Sequence, residues 1–157
     1  MRSNVTVKIK SALKNRPLLL LIAAGVMLAA IFLAVDRPNS SVRTLRVGPH
    51  AFKLDIAVTD KEHEKGLSGR RMLAQDKGML FIFQRETDSC FWMKDMKFPI
   101  DIIWTDAGRK VVFVSRDVRP DSYPRTYCTP EPAAYVIELP AGSIGGTGIR
   151  KGQVLNF

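Results

Sequence analysis

The stretch PIDIIWTDAGRKVVFV, residues 99–114, decides the fold class of this chain. Two apolar runs, Ile100–Trp104 and Val111–Val114, flank the turn-forming triplet of residues 106–108, Asp-Ala-Gly. Short runs of β-branched and aromatic residues on both sides of such a turn are typical of a β-hairpin. Pro99 marks the start of the first run, because a sheet tolerates proline at the first residue of a strand.

Runs that favour β-structure recur on both sides of this hairpin, with few helical patterns between them. They cover Met79–Phe83, Cys90–Met93, Ala134–Leu139 and Gln153–Phe157, and residues 50–58 alternate apolar and polar side chains like a half-buried strand. Many short strands separated by turns favour an antiparallel β-sandwich or a partly closed barrel. The sequence therefore predicts a mainly β domain with one or two short helices.

The clearest helix signal in this domain begins at Thr59. Thr59 and Glu62 have the spacing of a capping box, in which each residue satisfies a backbone N–H at the start of a helix. Residues Glu62–Leu67 are compatible with one or two helical turns closed by Gly66 or Gly69. The sequence predicts a short helix here.

A second decisive segment is PLLLLIAAGVMLAAIFLAV, residues 17–35, which contains no charged side chain. Its 19 residues would span about 28 Å as a helix, close to the thickness of the hydrocarbon core of a bilayer. We predict a single N-terminal transmembrane helix. The alternative is a cleaved signal peptide, although the apolar core of a signal peptide is usually shorter.

Charge on the two sides of this segment predicts its orientation. Residues 1–16 carry five basic and no acidic side chains, so the positive-inside rule places them in the cytoplasm. Residues 17–35 are then the membrane anchor, residues 36–44 a polar linker, and residues 45–157 an exported β-domain. The predicted location is the inner (cytoplasmic) membrane, with the C-terminal domain in the periplasm or otherwise outside the cytoplasm and the lipid bilayer as a partner.

The net charge of the whole chain is +9, but it indicates little about partners when residues before and after the predicted anchor are counted separately. Five of the 24 basic residues precede the anchor and all 15 acidic residues follow it, which leaves a net charge of only +4 on the rest of the chain. That part has no basic stripe interleaved with aromatic residues, so we expect no nucleic-acid partner.

The two cysteines, Cys90 and Cys128, gain meaning from the predicted compartment. Thiols outside the cytoplasm oxidise and pair, which makes a Cys90–Cys128 disulfide one interpretation. Two independent buried thiols are the alternative, and a catalytic thiol is a third reading with little support, because no histidine is near either cysteine in sequence.

Motifs for metals, cofactors and nucleophiles are missing from the sequence. His50 and His63 are not at helical ligand spacing, and no zinc, P-loop or serine-hydrolase pattern is present. The glycines between residues 142 and 148 lack the spacing of a dinucleotide-binding loop, and we interpret them as a flexible connector. Residues 119–132 contain four prolines and predict the main irregular loop. We predict no metal and no cofactor.

The strongest candidate for a binding site is the aromatic and charged patch that begins at Cys90. Trp92 lies close in sequence to Lys94 and Asp95, and an aromatic platform with directional hydrogen-bonding groups around it can bind sugars or other small polar ligands. The alternative is that Trp92 belongs to the core while Lys94 and Asp95 form a turn.

Asp101 and Glu138 each interrupt a run of apolar residues. A buried carboxylate needs a partner, which Arg70, Arg71 or Lys94 would supply as a structural ion pair or as part of a perturbed acid suited to proton transfer. Strand alternation also allows both carboxylates to face water. Arg70 joins the candidate site on this argument.

Four sequence blocks closely resemble the domain of unknown function 192 family. They are KGLSGRRMLAQDKGMLFIF (65–83), FWMKDMKFPIDIIW (91–104), YVIELPAG (135–142) and GIRKGQ (148–153). Together they span nearly all of the predicted β-domain. The resemblance implies a small exported or membrane-tethered protein with a mostly β, sandwich-like fold, and it implies no established activity.

The family pattern agrees with this chain at Lys94, Asp101 and Glu138. It usually has Met at the position of Ser68, and Asn-Thr at the position of Asp95 and Met96.

Two functional hypotheses follow. The leading one is a noncatalytic, membrane-anchored envelope domain that binds a small polar or carbohydrate-like ligand, or a protein partner, through the region from Trp92 to Asp101. The alternative is a hydrolase or lyase acting on an envelope polymer, with Asp101 and Glu138 as its acid and base. A purely structural accessory protein is a third class.

Overall fold

The computed structural model describes residues 42–157, which form a six-stranded mixed β-sheet and a separate two-stranded ribbon. The elements in chain order are β1 (Val42–Val47), β2 (His50–Ala57), α1 (Asp60–Lys65), β3 (Lys77–Thr87), β4 (Cys90–Trp92), β5 (Ile100–Thr105), β6 (Val111–Val118), β7 (Thr126–Cys128), β8 (Ala133–Pro140) and α2 (Ser143–Thr147). The large sheet has the order β1-β2-β3-β8-β5-β6, and β4 pairs with β7. The prediction of a mainly β domain with two short helices is confirmed.

One strand pair contradicts the predicted antiparallel arrangement. Strands β2 and β3 are parallel, while the other neighbours in the large sheet are antiparallel. The connection from β2 to β3 contains α1 and is long enough to return the chain to the same end of the sheet, as a parallel pair requires. The described sheet has β1 and β6 at its edges, so it does not close into a barrel.

Both faces of the sheet are buried. Leu80, Ile103 and Ile137 lie on the first face, which is covered by α2 and by the C-terminal residues Leu155 and Phe157. The second face is covered by the ribbon and by the loops beside it, and its core residues include Met79, Phe81, Ile102, Trp104 and Val136. Every residue of β5 is buried as a result, which explains the continuous apolar run that its sequence shows.

Helix α1 begins with the capping box that the sequence predicts. The Thr59 hydroxyl accepts from the Glu62 backbone N–H, and the Glu62 carboxylate accepts from the N–H groups of Val58 and Thr59. These hydrogen bonds lower the pKa of Glu62. The helix ends at Lys65 with Gly66 as its C-cap, so it is shifted toward the N-terminus by two residues relative to the prediction.

The C-terminal segment differs from the sequence prediction in two respects. The glycine-rich stretch forms α2 rather than a flexible connector, and Gly142 and Gly148 cap its ends in the left-handed conformation that glycine adopts without strain. The predicted strand from Gln153 to Phe157 forms only isolated bridges, of Val154 with Lys110 and of Asn156 with Arg46.

A disulfide joins Cys90 and Cys128, which are directly paired across the ribbon. The interpretation of the two cysteines as a disulfide is therefore confirmed, and the alternatives of two independent thiols and of a catalytic thiol are wrong. The bond fastens the proline-rich segment 119–132, which contains β7 and is therefore less irregular than predicted.

The N-terminal predictions lie outside the described residues. These are the cytoplasmic segment 1–16, the membrane anchor 17–35 and most of the linker 36–44. Strand β1 begins at Val42, inside the segment predicted as linker. Within residues 42–157, no helix is long and apolar enough to cross a membrane.

Asp101 is a structural residue on the first face. Its Oδ1 accepts a hydrogen bond of 2.9 Å from the backbone N–H of Asp117, and its Oδ2 accepts one of 2.8 Å from the N–H of Ile144 in the first turn of α2. Asp117 has a positive φ of 48°, beside an irregularity in the pairing of β5 with β6. One carboxylate therefore fixes both a strand irregularity and the start of a helix.

We expect Asp101→Ala to lower the free energy of unfolding by about 2 to 4 kcal/mol, because two backbone N–H groups lose the carboxyl oxygens that accept their hydrogen bonds. Urea denaturation followed by circular dichroism measures the change. The control is Glu131→Ala, which removes a surface ion pair with Lys151 and should cost less than about 1 kcal/mol. Equal losses in the two variants would contradict this role of Asp101.

Candidate functional site

A cleft of about 590 Å³ opens on the second face of the sheet. This volume is within the usual range for small-molecule sites. Its walls come from α1 and the residues that follow it, from β3 and the turn after it, and from β4. The residues used below to describe the cleft are His63, Gly66, Ser68, Phe81, Phe83, Ser89, Cys90, Phe91, Trp92, Met96 and Glu138.

Aromatic side chains form much of the cleft wall. The rings of Phe81 and Phe91 meet edge to face, with their centroids 4.9 Å apart. The His63 ring lies 4.7 Å from that of Phe83 and 5.9 Å from that of Phe81. Phe91 also meets the buried Trp104 edge to face, so the wall is continuous with the core beneath it.

His63 is oriented by a backbone hydrogen bond. Its Nε2 lies 3.1 Å from the carbonyl oxygen of Ala57, and a carbonyl can only accept, so Nε2 donates. This contact and the packing against Phe81 and Phe83 hold the His63 side chain in the cleft wall.

Glu138 is the buried polar group of the cleft. It lies on β8, where it pairs with Met79 of β3 and Ile102 of β5, and only 5% of the residue is exposed. Its Oε2 atom has no hydrogen-bond partner among the described residues. Burial raises the pKa of Glu138 from its usual value of 4.5 to about 8, and the positive charge of Arg70 opposes this effect. At neutral pH the carboxyl group is therefore mainly protonated.

Arg70 has another carboxylate as its direct partner. Its guanidinium donates to Asp55 at a distance of 2.8 Å. Asp55 of β2 is in register with Met79, which in turn is in register with Glu138, so both carboxylates belong to one row across the second face. More than a third of the Arg70 side chain is exposed, and solvent therefore weakens its effect on Glu138.

Gly66 leaves open the space beside Glu138. It has a positive φ of 44°, and a Cβ atom at this position would lie 3.3 Å from the Phe81 ring and 3.9 Å from Oε2 of Glu138. A larger residue would be strained and would narrow the cleft at its one fully buried carboxyl group.

Lys94 and Asp95 act through their backbones. The Lys94 carbonyl accepts from the Ser68 hydroxyl at 2.8 Å, and the Asp95 carbonyl accepts from the Gly69 N–H at 3.0 Å. Asp95 has a φ of 58°, a conformation that Asp and Asn tolerate better than most residues. The two residues thus hold the loop after α1 in place, and neither lines the cleft.

Trp92 and the disulfide lie at the other wall. Trp92 is 43% exposed, and Cys90, Phe91 and Trp92 all reach the cleft from β4. Ser89, which precedes this strand, also lines the cleft, and its buried hydroxyl has no partner among the described residues.

The structure separates the two carboxylates that the sequence suggests as an acid and base pair. Asp101 pairs with Leu139, whose side chain is in the core of the first face. Glu138 pairs with Ile102, whose side chain is in the core of the second face. Directly paired residues share a face, so Asp101 and Glu138 point to opposite sides of the sheet. The hypothesis of a hydrolase that uses this pair is wrong.

Of the six predicted ligand-binding residues, Trp92 and Glu138 line the cleft, while Arg70 acts on Glu138 from nearby. Sequence reasoning missed the contribution of His63, Ser89, Phe81 and Phe83. An available signal was the apolar run of β3, in which alternate residues reach the second face. Among residues 42–157, no group of three or more His, Cys, Asp or Glu side chains is placed to hold a metal ion.

The raised pKa of Glu138 predicts a specific pH dependence of stability. Below about pH 4.5 the carboxyl is protonated in both the folded and unfolded states and has no effect. As the pH rises toward 8, only the unfolded state ionises, so the folded state becomes progressively less stable. Glu138→Gln cannot ionise and should be more stable than the parent protein at pH 9 by up to about 5 kcal/mol, with little difference at about pH 5.

Urea denaturation of both proteins at several pH values measures this difference. Glu131→Gln, at an exposed position, is the matched control and should follow the parent protein at every pH. A constant difference between Glu138→Gln and the parent protein would show that Glu138 ionises normally.

Comparison with known proteins places this domain among structures of unassigned activity. It is similar to the crystal structure of a protein from Sinorhizobium meliloti that is described as a proposed transcription regulator, with 28% identity, a TM-score of 0.70, and coverage of 76% of this chain and 96% of that one. It is also similar to a protein of unknown function from Novosphingobium aromaticivorans, with 26% identity, a TM-score of 0.68, and coverage of 75% and 85%. No protein of curated function matches the sequence.

The predicted family resemblance is confirmed over the whole β-domain. The family model described as Uncharacterized ACR, COG1430, matches residues 43–157, and the chain therefore belongs to the domain of unknown function 192 (DUF192) family.

Proposed function

We propose that this chain is a membrane-anchored envelope protein whose β-domain binds a small polar or carbohydrate-like ligand without chemically changing it. The observation that supports this proposal best is the Oε2 atom of Glu138, which lies in an aromatic-lined cleft and has no hydrogen-bond partner within residues 42–157. Burying a polar group without a partner is costly, and a ligand that hydrogen-bonds to it removes that cost.

The shape and lining of the cleft favour a ligand with both apolar and polar surfaces. The rings of Phe81 and Phe91 offer apolar contact area, while Glu138 and Ser89 offer directional hydrogen bonds. Trp92, partly exposed at the rim, is suited to stacking against a ring. The binding site of this proposal is centred on Glu138 and Trp92, whereas Lys94, Asp95 and Asp101 support it from outside.

A binding role is preferred to catalysis because the cleft does not contain the paired carboxylates that the enzymatic hypothesis requires. Asp101 is engaged by two backbone N–H groups on the opposite face. His63 also lines the cleft, but its ring contacts the Ala57 carbonyl and packs against Phe81 and Phe83. Glu138 is buried within the sheet, so both side chains have a structural explanation.

The anchor and the envelope location are part of the same proposal. Residues 17–35 are long and apolar enough to cross a bilayer, with the basic residues on their N-terminal side. The Cys90–Cys128 disulfide supports an oxidising compartment for the β-domain. A nucleic-acid partner is not expected at this location.

We expect a ligand from a panel of envelope sugars, amines and amphiphiles to raise the melting temperature of the full chain in detergent micelles. Calorimetric titration of that ligand should show about five- to thirtyfold weaker binding by Trp92→Ala, because a stacking surface is lost. Tyr123→Ala is the control, since Tyr123 is similarly exposed but does not line the cleft. A panel without any binder, or equal affinities of the two variants, would refute the proposed site.

Reporter fusions test the proposed topology. Alkaline phosphatase fused after Phe157 should be active, because this enzyme needs the oxidising compartment outside the cytoplasm. A β-galactosidase fusion at the same position should be inactive. The opposite pattern of activities would place the β-domain in the cytoplasm.

A further inference from the structure

The carboxyl group of Glu138 lies near the positive charge of Arg70, but Arg70 already forms an ion pair with Asp55. Glu138 has an Oε2 atom without a hydrogen-bond partner, and the residue is 95% buried. Arg70 faces Glu138 but makes its direct ion pair with Asp55. A full counter-charge for Glu138 is therefore missing from the described domain.

The lining of the cleft carries more acidic than basic side chains. The carboxyl groups of Asp60, Glu64, Asp88 and Glu138 contribute to it, against the cationic side chains of Lys65 and Arg85. The Glu138 carboxyl becomes a charged partner when a bound cation favours its ionised form. Aromatic rings also attract cations, because the faces of their π-systems carry negative charge density. The rings of Phe81, Phe83 and Phe91 all line this cleft. Carboxylate and aromatic groups together are the chemistry that binds organic ammonium ions.

We propose that the cleft binds a small organic cation, an amine or quaternary ammonium compound, with its positive group beside the Glu138 carboxylate and its apolar substituents against the aromatic wall. This inference rests on the proposed binding function and specifies its ligand class. A neutral sugar would use the same hydrogen-bonding groups without needing the carboxylate to ionise. An anion would face the excess of acidic side chains.

The proposal predicts an unusual linkage between ligand binding and protons. A cation favours the ionised form of Glu138, so binding at neutral pH releases close to one proton, and affinity rises from about pH 6 to about pH 9. A neutral ligand that accepts a hydrogen bond from the protonated carboxyl would show the opposite trend.

Other groups near Glu138 must be separated from this effect. Arg70 of the loop after α1 acts on Glu138 through its positive charge and is paired with Asp55 of β2. His63 of α1 also lines the cleft. The remaining charged groups of the rim are Asp60, Glu64, Lys65, Arg85 and Asp88.

The test uses the full chain in detergent micelles with matched probe pairs. Each cation is paired with an uncharged analogue of the same shape: choline with 3,3-dimethylbutan-1-ol, and benzyltrimethylammonium with neopentylbenzene. Calorimetric titration at about pH 6 and about pH 9 gives affinities, and repetition in buffers with different ionisation enthalpies gives the protons released.

We expect each cation that binds to do so at least about tenfold more tightly than its neutral analogue at the higher pH. Glu138→Gln should abolish this preference and its pH dependence, whereas Glu131→Gln, at an exposed position that does not line the cleft, should retain both. In His63→Gln the pH dependence should remain, because it arises from Glu138. Phe91→Leu keeps an apolar side chain but removes a ring, so it should weaken cation binding more than neutral binding. Circular dichroism confirms that each variant is folded.

The outcomes distinguish this inference from the proposed function. Neutral analogues or sugars that bind as tightly as the cations would overturn the cation inference and leave the binding function in place. Cation binding that persists in Glu138→Gln, or that weakens as the pH rises, would also overturn it. A folded protein that binds none of the cations, neutral analogues or envelope sugars would overturn both.

Discussion

Burial of β5 and β8 on both faces of the sheet is the constraint on which the rest of the structure depends. Each strand carries one carboxyl group, and because both groups are nearly fully buried, each must find a partner or stay protonated. Asp101 accepts hydrogen bonds from two backbone N–H groups and in doing so fixes α2 and the irregularity of β6. Glu138, on the opposite face, has a free oxygen atom and a pKa raised by burial to about 8. Asp101 therefore stabilises the fold, whereas Glu138 lines the cleft with a carboxyl group that lacks a hydrogen-bond partner at Oε2 among the described residues.

The walls of the cleft around Glu138 are positioned by backbone carbonyl groups on one side and by the disulfide-linked ribbon on the other. The Lys94 carbonyl accepts from the Ser68 hydroxyl, and the Asp95 carbonyl accepts from the Gly69 N–H. These two hydrogen bonds position the loop after α1. On the other wall, the disulfide and three paired residues position β4, which brings Phe91 and Trp92 to the cleft. The family's usual Asn and this chain's Asp95 suit the same left-handed backbone conformation. A difference in sequence at this position is therefore compatible with the same loop geometry.

These arrangements connect stability with function. An unpartnered carboxyl in a buried position lowers the stability of the domain above pH 4.5, and retaining it is difficult to explain by packing alone. A ligand that supplies its missing partner would recover that loss. The aromatic wall and the net acidic lining indicate which partner fits best.

The sequence by itself determined the local features of this protein. The hairpin at residues 106–108, the capping box of Thr59 and Glu62, the mainly β composition and the family all follow from short-range patterns, and the structure and comparisons confirm them. Only the tertiary structure decided that β2 and β3 are parallel, that Cys90 and Cys128 are bonded, and that Asp101 and Glu138 lie on opposite faces. The physical reason is that both faces of these strands are apolar, so the alternation that usually reveals which way a side chain points is absent. The face that each side chain occupies is instead set by which residues of distant strands pair with each other. This pairing forms only when the chain folds.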